Sequence, residues 1–282
     1  MSRIHLITYA TPRFRPRQIL LAVSARLNDV ADTVTSWTPD KLRDAGFENR
    51  IKGISLLERG SGFWAWKPFV IATKLREVPD GDIVFYCDVG RLYPFKLLDQ
   101  PISPFVRWMD DHCQDIMPGV QIPWDGQTSV WTKREALVAT ETDIPRFHGT
   151  SPVQASFSIW RAGKRSRDFA GEWLDLCAQR PLISDDPSRH GLVELPEFRA
   201  HRHDQALLTL CCLKHGIAAL NLGSERPPID TRHPSETSRF TFGEVAAGQS
   251  LCGTLLRLAV WPVWRLERWM RRRVAFGNSI RE

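Results

Sequence analysis

The sequence lacks both long apolar runs and cysteines spaced for a metal. Its 282 residues contain no stretch of about 18 apolar residues, the length needed to cross a bilayer. The six cysteines form no C-x-x-C pair, and no histidine and cysteine cluster has the spacing of a zinc site. The apolar run within residues 1–9 is too short for a signal peptide. These absences favour the reducing cytoplasm as the location of the protein.

A basic character spread over the whole chain is also missing. The formal net charge is +6, but residues 251–282 alone contain seven arginines against two glutamates. The preceding residues are therefore close to neutral, which argues against nucleic acid as a partner. The length of 282 residues is enough for one large domain or two small ones, and a chain of this length can bury a substantial core. Hydrophobic residues make up 43% of the chain and include 11 tryptophans. Tryptophan suits such a core, and it also suits sugars, nucleobases and membrane interfaces.

Apolar periodicity indicates strands and helices that alternate along the chain. The pattern predicts strands over residues 4–9, 30–35, 83–87, 119–123, 154–161 and 217–222. It predicts helices over residues 18–27, 39–45, 69–78, 103–113, 132–140, 166–179 and 204–215, with a capping box from Thr132 to Glu135. This alternation is typical of an open α/β sheet, in which ligands bind beyond the carboxyl ends of the strands.

Asp88 directly follows the apolar strand predicted over residues 83–87. It therefore lies where ligands bind, and Gly90 allows a ligand to approach the backbone. A carboxylate at this place suits a ribose hydroxyl or a divalent cation, because Mg²⁺ and Mn²⁺ accept carboxylates together with phosphates. A turn of the Asp-x-Gly type, without any function, explains the same residues.

An aromatic loop is predicted over residues 59–68, where two glycines and a proline bracket two tryptophans and Lys67. Generic linkers are polar, so this composition indicates another role. Lys67 is suited to bind a phosphate as a point charge. A solvated lysine whose stem covers Trp66 is the alternative.

Residues 201–205 read His-Arg-His-Asp-Gln and precede an apolar helix. Asp204 suits the first turn of that helix because of the helix dipole. Alternatively, its carboxylate positions an acceptor hydroxyl or a donor sugar, and His203 reaches a metal or a diphosphate. The order His-x-His-Asp also fits a metallohydrolase, but the later histidines, His215 and His233, do not have the matching spacing.

Taken together, the segments 59–68, 81–90 and 201–205 resemble bacterial glycosyltransferase-like proteins of surface-polysaccharide gene clusters. They are more distantly similar to GT-A enzymes of the glycogenin and mannosyltransferase types. The resemblance covers about residues 4–222. It implies a GT-A-like, Rossmann-type open mixed sheet flanked by helices. It also implies an enzyme that moves a sugar from a nucleotide-sugar donor to a glycan or lipid-linked acceptor.

The resemblance also implies roles for single residues. Asp88 matches the first aspartate of an Asp-x-Asp motif, and Lys67 matches a lysine that binds the donor phosphate. Asp204 and Gln205 match an Asp-Gln pair beside the donor sugar and are the expected catalytic residues. The other residues expected in the donor site are Arg59, Trp66 and Gly90.

Gly90 stands where the second aspartate of that motif would be, so a divalent cation, Mn²⁺ or Mg²⁺, would lack one carboxylate. Asp88 and His203 are the expected ligands if such an ion binds. Otherwise, cationic side chains such as Lys67 and Arg59 would neutralise the leaving diphosphate. A retaining reaction, which the Asp-Gln pair favours, and an inverting reaction, which needs a base near the acceptor, both remain open.

The chain is expected to divide into a catalytic domain, residues 1–245, and a basic amphipathic tail, residues 246–282. On a helical wheel, residues 251–274 place arginines broadly opposite an apolar face. Such a helix suits an anionic membrane surface and would make the enzyme peripheral on the inner face of the plasma membrane. A helix docked on the domain is the alternative.

Two other functions fit the same sequence. The missing second aspartate also fits a non-catalytic or hydrolytic nucleotide-binding protein on the same fold. The basic tail also fits a membrane-surface adaptor.

Overall fold

A computed structural model describes residues 2–89, 98, 101–121, 123–188, 191–221 and 223–224. Its strands are β1 (Ile4–Tyr9), β2 (Thr33–Trp37), β3 (Ile83–Cys87), β4 (Ile116–Met117), β5 (Val120–Gln121), β6 (Val153–Gln154), β7 (Phe157–Arg161) and β8 (Leu220–Asn221). Its helices are α1 (Arg15–Leu27), α2 (Pro39–Asp44), α3 (Phe47–Arg50), α4 (Arg59–Phe63), α5 (Trp66–Glu77), α6 (Ser103–Asp111), α7 (Thr128–Trp131), α8 (Arg134–Ala139), α9 (Pro145–His148), α10 (Lys164–Cys177), α11 (Arg180–Ile183) and α12 (His203–His215). Two short 3₁₀ helices span Pro12–Phe14 and Pro123–Asp125.

The central sheet is mixed and has five strands in the order β2-β1-β3-β7-β4. Strand β1 pairs in parallel with both β2 and β3, whereas β7 runs antiparallel to β3 and to β4. A second sheet of three short strands has the order β6-β5-β8. The α/β architecture with a mixed sheet and flanking helices, which the sequence predicts, is confirmed.

Apolar residues cover the central sheet on both faces, because successive residues of a strand point to opposite sides. Ile7 and Tyr86 belong to a core cluster with residues of α5, α10 and α12. Leu6 and Phe85 belong to a second cluster with residues of α1 and α6. Every residue of β3 is buried, as expected of a central strand covered on both faces. The fold therefore has three layers, with β1 and β3 at its centre.

The region predicted as one strand over residues 154–161 is two strands in the structure. A turn at residues 155–156 separates β6 from β7 and directs them into different sheets. In this turn the Ser156 carbonyl accepts a hydrogen bond of 2.9 Å from the Asp88 backbone N–H. The break in the strand thus holds the backbone directly after β3.

The predicted capping box is wrong. Helix α8 begins after Lys133, whose side chain makes no cap, and Thr132 is buried one position earlier. The Glu135 carboxylate lies 3.6 Å from the Lys133 ammonium instead of bonding back to the helix start. Charge pairing in a buried setting therefore replaces the expected reciprocal cap.

The predicted tail, residues 246–282, and Gly90 lie outside the described residues. Within the part that is described, no helix combines the length and the apolar character that crossing a membrane requires.

Candidate active site

The site lies at the carboxyl ends of β1 and β3. The two strands are parallel and adjacent, with Ile7 opposite Tyr86, so the segments that follow them meet at one edge of the sheet. Asp88 follows β3 there, and Tyr9 is the last residue of β1. This is the position that the sequence predicts for Asp88.

Lys67 joins the two predicted site carboxylates. Its ammonium lies 3.0 Å from Asp204 Oδ2 and 3.8 Å from Asp88 Oδ2. Helix α5 contributes Lys67, helix α12 contributes Asp204, and the end of β3 contributes Asp88. Lys67 and Asp204 are each only 4% exposed, whereas the Asp88 side chain is 31% exposed. The fold thus brings together three residues that the sequence predicts, with Asp88 as the member that solvent reaches.

Burial and mutual charge shift the pKa values of these groups. Burial raises the pKa of Asp204 to about 6, although the neighbouring Lys67 charge opposes the change. Burial lowers the pKa of Lys67, but the charges of Asp204 and Asp88 outweigh it, and the net shift is upward. Lys67 therefore stays protonated at neutral pH, as a buried lysine does when two carboxylates face it.

Tyr86 supports Asp88 from within the sheet. Its side chain lies two residues before Asp88, and its hydroxyl donates to Asp88 Oδ1. Burial, followed by the charge of Asp88, raises the pKa of Tyr86 well above its usual value. The hydroxyl therefore remains a donor and fixes one carboxylate oxygen. The contact between Tyr86 and Asp88 could have been predicted from the sequence, because residues i and i+2 lie on the same face of an extended chain.

Aromatic rings surround the Lys67 side chain. Its ammonium lies 5.8 Å from the Trp66 ring centroid and 5.6 Å from that of Tyr86, within the range of a cation–π contact. The Trp66 ring stacks on Tyr9 at 4.0 Å, and its Nε1 donates to the Gly60 carbonyl at 3.0 Å. Trp66, predicted as a donor-site residue, thus ties the aromatic loop to the end of β1.

The loop that contains Arg59 turns with a left-handed backbone. Gly60, Ser61 and Gly62 all have positive φ within α4, and Phe63 and Trp64 follow with φ of 52° and 61°. A left-handed conformation costs a non-glycine residue roughly 1–2 kcal/mol. Strain of this kind is concentrated at functional sites. An added Cβ at Gly60 would come within 2.4 Å of the Trp64 ring, so glycine is required for this ring to pack here.

A cavity of about 400 Å³ opens beside Asp88 and the left-handed turn. This volume lies in the range of small-molecule sites. Its walls are aromatic and carry two arginines, and they include the residues Tyr9, Arg13, Phe14, Arg59, Trp64, Trp66 and Asp88. Sequence reasoning missed Tyr9, Arg13 and Phe14. These residues could have been predicted, because ligands bind beyond the carboxyl ends of parallel strands and this rule applies to β1 as well as to β3.

His203 is oriented by contacts other than Asp88. Its Nδ1 bonds to the Ile183 carbonyl at 2.8 Å, and its Nε2 lies 3.7 Å from Asp185 Oδ2. Its ring stacks on Trp64 at 5.4 Å. Among the residues that the structure describes, no group of three or more His, Cys, Asp and Glu side chains is placed to hold a metal ion.

Gln205 lies in the first turn of α12, directly after Asp204. Its side-chain Nε2 is buried and has no hydrogen-bond partner among the described residues. A buried donor without a partner is costly unless a ligand or water satisfies it. Gln205 is therefore a candidate contact for a bound molecule.

Comparisons with known proteins add little. No known protein family matches the chain, and no curated protein matches it. Among solved structures, the chain is similar to mouse xyloside xylosyltransferase 1 in its apo form, with 14% sequence identity and a TM-score of 0.39. That match covers 76% of this chain and 82% of the mouse chain. At this level of similarity, the match supports no conclusion about the present chain, so function must be argued from its own site.

Proposed function

We propose that the protein is a glycosyltransferase that takes a sugar from a nucleotide-sugar donor. One observation carries the proposal: a cavity with aromatic and arginine walls opens beside Asp88, which Lys67 links to Asp204. The cavity lies beyond the carboxyl ends of adjacent parallel strands, where nucleotides bind in open α/β sheets. The motif resemblance noted in the sequence points to the same chemistry.

The cavity walls suit the two parts of a nucleoside diphosphate. The rings of Phe14 and Trp64 offer flat apolar surfaces on which a base can stack. Arg13 and Arg59 offer guanidinium groups, which bind phosphate oxygens in a bidentate manner. Arg59 pairs with Asp185 at 3.2 Å, and both side chains are largely exposed. Such a surface pair is weak, so a diphosphate can compete for the guanidinium.

Lys67 is better placed to position carboxylates than to bind a phosphate directly. Its ammonium is buried between Asp204 and Asp88, and it does not belong to the cavity wall. We therefore infer that Lys67 and Asp204 act as positioning residues that orient Asp88. In this arrangement Asp88, which lines the cavity, is the residue that reaches the donor.

Transfer breaks the bond between the anomeric carbon and the diphosphate oxygen and forms a bond from that carbon to an acceptor oxygen. The acceptor hydroxyl gives its proton to the departing diphosphate in a retaining reaction, or to a carboxylate near the acceptor in an inverting one, and negative charge develops on the leaving diphosphate. The arginines of the cavity stabilise that charge, which is the main electrostatic requirement of the reaction. Among the described residues, no group of three or more His, Cys, Asp and Glu side chains is placed to hold the expected divalent cation, and one Asp88 oxygen already accepts from Tyr86. We therefore assign no step to a metal.

The acceptor is proposed to be a glycan or a lipid-linked glycan of a bacterial surface polysaccharide. This part rests on the motif resemblance and on the basic amphipathic sequence of residues 251–274, which suits an anionic membrane surface. Peripheral attachment to the inner face of the plasma membrane follows from the same sequence.

Calorimetric titration with nucleoside diphosphates, combined with turnover of the matching nucleotide sugars, tests the proposal. The full chain should bind at least one nucleoside diphosphate, and it should release that diphosphate faster when an acceptor glycan is added. Release that is indifferent to every acceptor would indicate a hydrolase. Binding without any release would indicate a non-catalytic nucleotide-binding protein. Absence of nucleotide binding would refute the proposed function and leave the membrane-surface adaptor.

A further inference from the structure

Helix α1 carries apolar side chains on two opposite faces. Leu21 and Ala25 are buried in the core cluster that covers one face of the central sheet. On the other side of the helix, Ile19, Val23 and Leu27 are 50%, 38% and 50% exposed. These three residues are spaced by four, so they lie in successive turns and form one continuous row, the α1 stripe. A helix that packs on a sheet needs only one apolar face, so the α1 stripe calls for a separate explanation.

The α1 stripe lies in a basic setting. Residues 12–28 contain four arginines and no acidic residue. Three of these arginines, Arg13, Arg15 and Arg26, form no ion pair with any residue that the structure describes. At about 100° per residue, Arg26 and Arg15 lie about 20° and 40° from Ile19 around the helix axis, at one edge of the stripe. The exposed face of α1 therefore combines apolar side chains with positive charge that no described carboxylate neutralises.

Charge distinguishes between three candidate occupants of the stripe. A second copy of the chain would bring its own arginines against these ones. The predicted tail, residues 246–282, also carries a net positive charge. Like charges at short range oppose both contacts. An anionic lipid surface supplies the opposite charge, and its interface accepts the apolar side chains of a helix that lies flat on it.

The α1 stripe begins close to the donor cavity. Arg13 and Phe14 line the cavity, and α1 begins at the next residue, Arg15. At a rise of about 1.5 Å per residue, Ile19 lies about 8 Å along the helix axis from Phe14, and the stripe extends about 12 Å further to Leu27. The first residue of the stripe is therefore less than two helical turns from the cavity wall.

We propose that the α1 stripe and its flanking arginines form a docking surface for an anionic membrane. The apolar side chains enter the lipid interface, and the guanidinium groups bind lipid phosphates. This contact is additional to the one proposed for the tail, and it lies in the catalytic part of the chain. The inference rests on the proposed function in one respect, since it would hold the cavity close to a lipid-linked acceptor.

Co-sedimentation of the full chain with vesicles of phosphatidylcholine and phosphatidylglycerol tests this surface. The double variant Ile19→Gln, Leu27→Gln removes both ends of the stripe and retains residues that favour a helix. Its partition coefficient should be about tenfold below that of the wild type. The matched control is the double variant Leu57→Gln, Val138→Gln, which replaces apolar side chains that are 96% and 45% exposed elsewhere. This control should bind the vesicles as the wild type does.

A single charge variant tests the basic part of the surface. Arg26→Gln should lower the partition coefficient about fivefold, as expected when one basic residue is lost near an anionic surface. Its control is Arg165→Gln on α10, an exposed position that likewise has no ion pair within the described part of the chain. Vesicles of phosphatidylcholine alone should bind the wild type much more weakly than the mixed vesicles.

Four results would overturn the docking surface. These are no binding by the wild type, equal binding by the wild type and the stripe variant, equal losses in the stripe variant and its control, and equal binding to both kinds of vesicle. Analytical ultracentrifugation without lipid provides a further check. A wild-type dimer that the stripe variant converts to a monomer would assign the stripe to a second copy instead.

Failure of this inference is distinguishable from failure of the proposed function. Calorimetric titration with nucleoside diphosphates, carried out without vesicles, should give the same affinity for the wild type and every variant. Absence of nucleotide binding in all of them would refute the proposed function and leave the vesicle result unaffected. Normal nucleotide binding together with any of the overturning vesicle results would refute the docking surface alone.

Discussion

Replacement of Lys67 by methionine removes the cation that lies 3.0 Å from Asp204 and 3.8 Å from Asp88. Methionine retains most of the volume, so loss of charge is the main change. Asp204 is 4% exposed and would be left as a buried carboxylate without its counter-ion. Removal of one partner from a buried ion pair typically costs about 3–5 kcal/mol. We expect the free energy of unfolding at pH 8 to fall by this amount.

The loss should depend on pH in a defined direction. Burial already raises the pKa of Asp204 to about 6 in the presence of Lys67, and removal of Lys67 should raise it further. A folded-state pKa above the unfolded value of about 3.9 means that the folded state holds the proton more tightly. Stability is then retained at low pH and lost as pH rises through the folded pKa. The deficit of Lys67→Met should therefore be smaller at pH 5 than at pH 8.

Urea unfolding at both pH values measures this deficit. The matched control is Lys164→Met, because Lys164 pairs with Asp168 at 2.5 Å but is 89% exposed. This surface pair should contribute less than about 1 kcal/mol at either pH. Adding Asp204→Asn to Lys67→Met should restore part of the stability, because the buried charge is then absent. If Lys67→Met loses no more stability than Lys164→Met, or if its loss does not depend on pH, the buried ion pair between Lys67 and Asp204 is refuted.

Three further predictions follow from the cavity. Gly60→Ala should destabilise the fold by about 1–2 kcal/mol, because φ at this position is +64° and the new Cβ meets the Trp64 ring. The same change should weaken nucleoside diphosphate binding. Urea unfolding measures the first effect, and calorimetric titration measures the second. Arg59→Gln should weaken the binding of a nucleoside diphosphate about tenfold but should change the binding of the nucleoside little. Arg50→Gln on α3 is the control and should bind both ligands as the wild type does. Equal losses for both ligands in Arg59→Gln would contradict the role of Arg59 in binding the diphosphate. Turnover should continue after a chelator removes divalent cations. If turnover is lost and returns only when Mn²⁺ or Mg²⁺ is added, a metal ion stabilises the leaving diphosphate in place of the arginines.

Local patterns predicted the framework of the site well. Strands β1 and β3 have the predicted bounds, because continuous apolar runs between turn residues are characteristic of buried strands. The second strand was placed too early. Val30 is buried and so resembles a strand residue, but its N–H bonds to the Ala25 carbonyl and extends the end of α1. Apolar character alone does not distinguish these two roles.

Contacts between distant residues were beyond prediction from one sequence. The sequence identified Lys67, Asp88 and Asp204 singly, but the ion pair depends on how α5 and α12 pack against the sheet. The left-handed run after Arg59 was also missed. Two glycines indicated a turn, but Ser61, Phe63 and Trp64 rarely adopt positive φ, and only packing around the cavity holds them there.

The most direct test of the central claim is turnover by Asp88→Asn. Asparagine keeps the size of the side chain and its bond from Tyr86 but removes the charge that faces the cavity. With a nucleotide sugar that the wild type uses, release of the nucleoside diphosphate should fall about 100-fold, while nucleoside binding stays unchanged. Asp168→Asn, at an exposed position on α10, should turn over as the wild type does. Full turnover by Asp88→Asn would contradict the assignment of this site.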